Sequence, residues 1–265
     1  MKTEIAQMVT LTSFGNYYLT NHKFTLDMNH STTKFCDKIE FFELSAGSET
    51  RIAKNPMEWF AYLKTKGINR LNLHFTEKGD RLGSTFVGGG GRWIIEATRG
   101  NLSDVWDVRW KVSPGKDKNR IWVVSYGLTS QNVQIPQIIY PPVAIWHKKL
   151  TDELSLLKEI TKKQSLDDFT KYFVEALDLL ASPEPMKKIS HHDLVPAGIF
   201  SLECQQIFAA VQKGWIVAMI NWIETLIENA KVNEKKIKIS DDLYDTMCRS
   251  IMVATNSSKF DKISS

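Results

Sequence analysis

The stretch Trp106-Asp107-Val108-Arg109-Trp110-Lys111-Val112 alternates strictly, with Trp106, Val108, Trp110 and Val112 on one side and Asp107, Arg109 and Lys111 on the other. Successive side chains of an extended chain point to opposite faces, so a period of two predicts a β-strand with one dry and one wet face. The flanking runs Arg92 to Arg99 and Arg120 to Leu128 have the length and the β-branched and aromatic content of strands. The three predict an antiparallel meander whose apolar stripe, Trp110 and Val112 included, packs into a core.

Working toward the N-terminus, weaker alternation recurs in Tyr17 to Met28, Thr33 to Leu44 and Asn69 to Glu77. These runs extend the sheet to about six to eight strands. One helix interrupts them: Asn55 is a good N-cap, Pro56 suits the first helical position, Trp59, Phe60 and Leu63 form an apolar stripe, and Gly67 ends it. Toward the C-terminus, Gln131 to Pro142 contains Pro136, Pro141 and Pro142, which neither propagate a helix nor donate to a sheet ladder. This segment reads as a linker, with a boundary near residue 145.

Beyond it the period becomes helical. Thr151 to Lys163 forms one helix, and Ser165 with Asp168 reads as a capping box ahead of Leu166, Phe169, Phe173, Ala176, Leu177 and Leu180, stopped by Ser182, Pro183 and Pro185. Ser201 to about Ala230 is apolar on several sides through Trp215, Ile216, Met219, Trp222 and Ile223, as a central helix requires. Ser240 is placed to cap a last helix in which Leu243, Met247 and Ile251 face inward, and the lysine-rich run Lys231 to Lys238 before it reads as a solvated loop. The expected fold class is α+β: residues 1–145 form a mainly antiparallel β-rich domain with one short helix, and residues 146–265 form a helical domain.

Charge and cysteine content narrow the functional classes. Residues 1–145 carry 18 basic and 13 acidic groups, net +5, whereas 146–265 carry 16 and 17, net −1, so an acidic partner is expected to meet the first half. Cys36, Cys204 and Cys248 are far apart and lack CxxC spacing, which points to neither disulfides nor a zinc ribbon and fits a reducing, cytoplasmic compartment. Glu4 and Gln7 break the apolar core that a signal peptide requires, and Gln212, Lys213, Asn221 and Glu224 interrupt the one long apolar stretch, so a soluble protein is expected.

Motifs for catalysis or cofactors are absent. The run Gly88 to Gly91 leads into Arg92-Trp93-Ile94-Ile95, a strand, whereas phosphate-cradling glycine loops open a helix. His191 and His192 are adjacent and diverge rather than converge on a metal, and Ser190 or Asp193 there reads as a helix cap. The pairs Asp167-Asp168 and Asp241-Asp242 sit where acids favour a helix dipole. Ser84, Ser125 and Ser130 lack a nucleophile elbow. No cofactor or metal is expected.

The remaining constellation is the wet face of the meander, Arg92, Glu96, Asp107, Arg109 and Lys111, beside five aromatic residues, Trp93, Trp106, Trp110, Trp122 and Tyr126. Arg and aromatic side chains are enriched at interface centres, so these five charged residues are the expected protein-binding site. The expected function is a non-enzymatic, cytoplasmic protein-binding module with a protein partner and no membrane or nucleic-acid partner. Its most specific form is an immunity-type protein that occludes a toxin's active site. Two alternatives accompany it: an enzyme using Glu96, Asp107, Arg109 and His74 or His147 in a cleft between the lobes, and nucleic-acid binding on the basic sheet face, where Glu96 and Asp107 would repel phosphates.

Overall fold

The computed structural model describes residues 1–45, 48–76, 92–115, 117–136, 139–219 and 234–258. It is an α+β fold: a mixed sheet of six strands in the N-terminal half and helices in the C-terminal half. Within the described residues the chain divides into two compact units, Glu4–Ile138 with Asp193–Ile199, and Met1–Thr3 with Ile139–His192 and Phe200–Ser258. The glycines Gly88 to Gly91, together with Trp222 and Ile223, lie outside the described residues.

The first unit holds α1 (Thr3–Leu19), β1 (Cys36–Ser45), β2 (Ser48–Ala53), α2 (Pro56–Thr65), β3 (Arg70–Thr76), β4 (Arg92–Arg99), β5 (Leu102–Val112) and β6 (Trp122–Val133). Strand order is β2-β1-β6-β5-β4-β3; every neighbouring pair is antiparallel except β1 with β6. The β3 to β6 meander therefore forms as the alternation predicts, and a β1–β2 hairpin joins its β6 side. The β2–β3 connection must travel from one edge of the sheet to the other, and α2 makes the crossing. Its start matches the expected cap, since Glu58 N donates to Asn55 Oδ1 at 2.9 Å, while Gly67 just past its end takes a positive φ of 73° that a side chain would disfavour.

The core lies between α2 and one face of the sheet. Trp59 stacks on Phe41 with ring centroids 4.5 Å apart and meets Trp106 edge-on at 5.4 Å, and Phe41 stacks on Tyr126 at 5.1 Å. All four rings are fully buried. Burying a large aromatic side chain contributes on the order of 3 kcal/mol, so this quartet is the main apolar anchor of the unit.

Helix α1 corrects the expectation of a strand over Tyr17 to Met28: residues 17–19 end the helix and 20–28 contain no strand. Every residue from Ile5 to Ser13 is buried, so the helix has no wet face and shows no amphipathic period to read. Two carboxamides fasten it. Gln7 Nε2 donates to Thr32 O at 3.2 Å while its Oε1 accepts from Tyr126 Oη at 2.9 Å. Near the other end, Asn16 Nδ2 donates to Leu71 O at 2.8 Å and its Oδ1 accepts from Leu71 N at 2.7 Å, so one side chain takes up both main-chain polar groups of a residue on the edge strand β3. Gly15 permits this approach, because a Cβ there would come within 2.4 Å of Leu71 Cδ1 and 3.0 Å of Phe60 Cε1. Thr10 Oγ1 donates to Leu194 O at 2.9 Å, tying α1 to the 193–199 segment.

The second unit contains α3 (Val143–Lys163), α4 (Asp167–Leu180), a short 3-10 turn (Pro185–Lys188), α5 (Leu202–Met219) and α6 (Glu234–Asn256). Leu243, Met247 and Ile251 are buried as their spacing predicts. Three starts differ from expectation. Helix α3 begins at Val143, directly after Pro142. The Ser165–Asp168 box does not form: Ser165 takes a φ of 56° and Leu166 occupies the N-cap without a side-chain bond. Ser240 does not stand at a helix start, because α6 already begins at Glu234 and includes part of the lysine-rich run. Ser201 does cap α5, its Oγ accepting from Cys204 N at 3.3 Å. Among the described residues no helix is long and apolar enough to cross a membrane.

Candidate functional site

The register places Glu96 opposite Val105, and alternation along β5 then puts Val105, Asp107, Arg109 and Lys111 on one face of the sheet. The four expected site residues whose side chains are described nevertheless differ sharply in accessibility. Arg92 pairs with Thr76 at the start of β4, and its side chain lies outside the described residues. Arg109 and Lys111 are exposed, Arg109 Nη1 reaching Glu49 Oε1 at 3.2 Å, whereas Asp107 is half-buried with Oδ1 accepting from Val108 N at 2.9 Å.

Glu96 is not on the surface. It is 6% exposed and sits among polar side chains of β3 and β5: His74 Nε2 lies 2.7 Å from Oε2, Asn72 Nδ2 donates to Oε2 at 3.0 Å, and Ser103 Oγ donates to Oε1 at 2.6 Å. Burial works against ionisation, but the bonds from His74, Ser103 and Asn72 outweigh it and hold this carboxyl below its ordinary range. Beside it Ile94 and Val105 are fully buried and packed by Val133 and Ile135, so the chain leaving β6 covers this part of the expected wet face. Glu96 thus braces β3, β4 and β5 from within. His147, the other histidine considered for catalysis, lies in the helical unit, where its Nε2 is 3.0 Å from Gln206 Oε1.

The apolar stripe of β5 also differs from expectation. Trp106 is fully buried, but Val108 and Trp110 are half-buried and Val112 is 72% exposed. Val112 pairs with Trp122, Ser113 N donates to Ile121 O at 2.7 Å, and Trp122 N donates to Phe35 O at 3.2 Å, so the backbones of Val112, Ile121 and Phe35 meet at one end of the sheet. Ile121 is 42% and Phe35 48% exposed. On the Val112 face Trp110 and Trp122 pack edge-on, centroids 5.8 Å apart. Alternation puts Val112 on the face of Trp110 and Trp122 and puts Ile121, opposite Ser113, on the face of Lys111, so the exposed apolar side chains of this end occupy both faces of the hairpin.

The sequence at this end of the sheet is rich in cations. The 109–120 segment carries five basic residues, Arg109, Lys111, Lys116, Lys118 and Arg120, against one acid, Asp117. Lys34 and Lys38 add exposed charge from the β1 side, with Lys34 Nζ 5.1 Å from the Phe35 ring centroid. The loop between β5 and β6 is braced rather than loose. Ser113 Oγ donates to Asp37 Oδ2 at 2.7 Å and accepts from Gly115 N at 3.0 Å, and Asn119 N donates to Asp117 Oδ1 at 2.8 Å in an Asx turn. Such bracing lowers the entropy lost on docking.

Other polar clusters are structural. Asp193 does not cap a following helix; its carboxylate accepts from Ser31 Oγ and from Ser31 N at 3.0 Å, while His30 Nε2 meets its carbonyl at 2.8 Å. Burial opposes its charge, but the Ser31 bonds and nearby His30 outweigh burial and keep its carboxyl below the usual range. The cluster clasps the 193–199 segment to the 27–34 turn. Burial pushes the Cys36 thiol up to about 11, away from the range of a reactive thiolate. Among the described residues no three His, Cys, Asp or Glu side chains are placed to hold a metal ion.

No protein-family model, curated protein or solved structure matches the chain.

Proposed function

We propose that the chain is a protein-binding module whose contact surface is the β5–β6 hairpin end of the sheet, and that its partner presents an acidic surface. The observation that carries this reading is that the hairpin end leaves Phe35, Val112 and Ile121 exposed in a stretch of sequence that also carries Lys34, Arg109, Lys111, Lys118 and Arg120 against few acids. Apolar side chains at the centre and charges at the rim are the arrangement of specific protein interfaces, in which the centre supplies affinity and the rim supplies steering and partner choice. Of the expected site residues, Arg109 and Lys111 belong to this surface, whereas Glu96, opposite Val105, lies toward the other end of β5.

In its most specific form the reading is an immunity-type protein acting in the cytoplasm, the hairpin end covering a toxin's active site. That form requires the partner to be an enzyme inhibited on binding. Capture from the native lysate at physiological salt, with the wild-type chain and with a Val112→Glu, Ile121→Glu variant side by side, tests the module. An acidic protein held in near-equal amount by the wild type and lost by the variant supports it; identical retention by both removes the hairpin end from the account.

A further inference from the structure

Strand β2 forms one edge of the sheet. No other strand among the described residues pairs with its outer side, and Ser48, Glu49, Thr50 and Arg51 are all exposed. An edge strand of this kind offers main-chain N–H and C=O groups to an incoming strand, and natural sheets usually blunt it with charge. The charge here has a particular order. Glu49 and Arg51 flank Thr50, and both belong to the face that carries Arg109 and Glu40: Arg109 Nη1 reaches Glu49 Oε1 at 3.2 Å, and Arg51 Nη1 reaches Glu40 Oε1 at 2.6 Å.

We infer that β2 pairs antiparallel with the β2 of a second copy of this chain, about a two-fold axis through Thr50. Centring the pair on Thr50 sets Glu49 of each copy directly opposite Arg51 of the other, on the same face, where cross-strand opposite charges attract and like charges repel. The pattern is self-complementary only in this register. A shift by two residues along the partner, or parallel pairing centred on the same residue, breaks both matches or sets like charges together. The pairing also prolongs the ion pairs already present, giving the row Arg109, Glu49, Arg51 and Glu40 with alternating sign across the seam. The charges that discourage foreign strands therefore admit this one, and the two six-stranded sheets become continuous, as an isologous two-fold interface requires.

Apart from Arg109, whose guanidinium reaches Glu49, this edge lies away from the hairpin end. β2 pairs with residues 41–45 of β1, whereas Phe35 and Cys36 mark the opposite end of that strand, beside Trp122. Dimerisation through β2 thus leaves both hairpin ends free, and the test needs no knowledge of any other partner.

Sedimentation velocity of the full chain from micromolar to millimolar concentration measures the association. The wild type is expected to move from 30.3 kDa toward twice that mass as concentration rises. Glu49→Lys and Arg51→Glu, each confirmed as folded by circular dichroism, are expected to remain monomeric because each places like charges opposite one another. Mixing the two variants in equal amounts restores both attractive pairs and is expected to restore the dimer. A wild type that stays monomeric throughout, or a dimer that persists in both single variants, or a mixture that fails to associate, overturns the inference.

Discussion

Replacing Asn16 isolates the contact that holds α1 to the edge of the sheet. The Asn16 carboxamide is 4% exposed and serves both polar groups of Leu71, itself fully buried, through bonds of 2.8 and 2.7 Å. Asn16→Ala removes both bonds and leaves a buried N–H and a buried C=O with no replacement from solvent. Each such orphan costs about 1 to 3 kcal/mol, so the expected loss is about 2 to 6 kcal/mol, against about 0.5 kcal/mol or less for an ordinary surface substitution. Asn16→Asp sharpens the argument. The new carboxylate still accepts from Leu71 N but faces Leu71 O with no proton to donate, and it is a charge placed in a buried site. Its pKa is raised in the folded state, so the variant is penalised at neutral pH and recovers as pH falls through that raised pKa, where the protonated form donates again. Urea unfolding at pH 7 and at pH 4 measures both effects, and amide exchange at Leu71 reports the local one. An Asn16→Ala chain within about 0.5 kcal/mol of wild type would refute the reasoning, since it would mean that water or another group reaches Leu71 as readily as Asn16 does.

Two further outcomes follow from the sheet. Trp106→Ala should cost about 3 to 5 kcal/mol in denaturant unfolding, the range for truncating a fully buried large aromatic, whereas Trp110→Ala should cost well under that because the ring is half-exposed; equal losses would contradict the burial assigned to β5. Glu96 and Asp193 both have carboxyls held below their unfolded values, so each contributes stability above the ordinary carboxylate range that is lost as pH falls through the lower folded value. The stability gap between wild type and Glu96→Gln should accordingly narrow below about pH 4, and a gap constant from pH 7 to pH 3 would show that the charge on Glu96 is not what the His74, Asn72 and Ser103 bonds stabilise.

Much of the architecture is local and hence legible. The alternation of β5, the Asn55 cap with Pro56 and the buried stripe Leu243, Met247 and Ile251 all report interactions within a few residues along the chain. Helix α1 is invisible to the same logic because it is surrounded. Burial on every side erases the 3.6-residue contrast, and Val9, Thr10, Thr12, Tyr17 and Tyr18 are residue types that strands also favour. The failed caps have a similar cause: Ser165 and Ser240 are competent N-cap residues, but neighbouring turns and an earlier helix start decide their geometry.

The candidate site divides along the same line. That Glu96, Asp107, Arg109 and Lys111 share a face is a consequence of strand alternation alone. That Glu96 is buried depends on His74, 22 residues away, and on Val133 and Ile135 covering Ile94 and Val105, none of which the local pattern records. Conversely, Val112 continues an apolar stripe, but the core ends before it. The signal was its place at the strand terminus ahead of Ser113, Pro114 and Gly115, where a sheet runs out of neighbours.

Hydrogen exchange of the chain, alone and with its captured acidic partner bound, maps the contact surface. Slowed exchange is expected only at residues 33–38 and 110–123, with the backbone of β3 and β4 unchanged. Protection centred elsewhere, with the hairpin end exchanging as freely as in the isolated chain, would contradict the proposed surface.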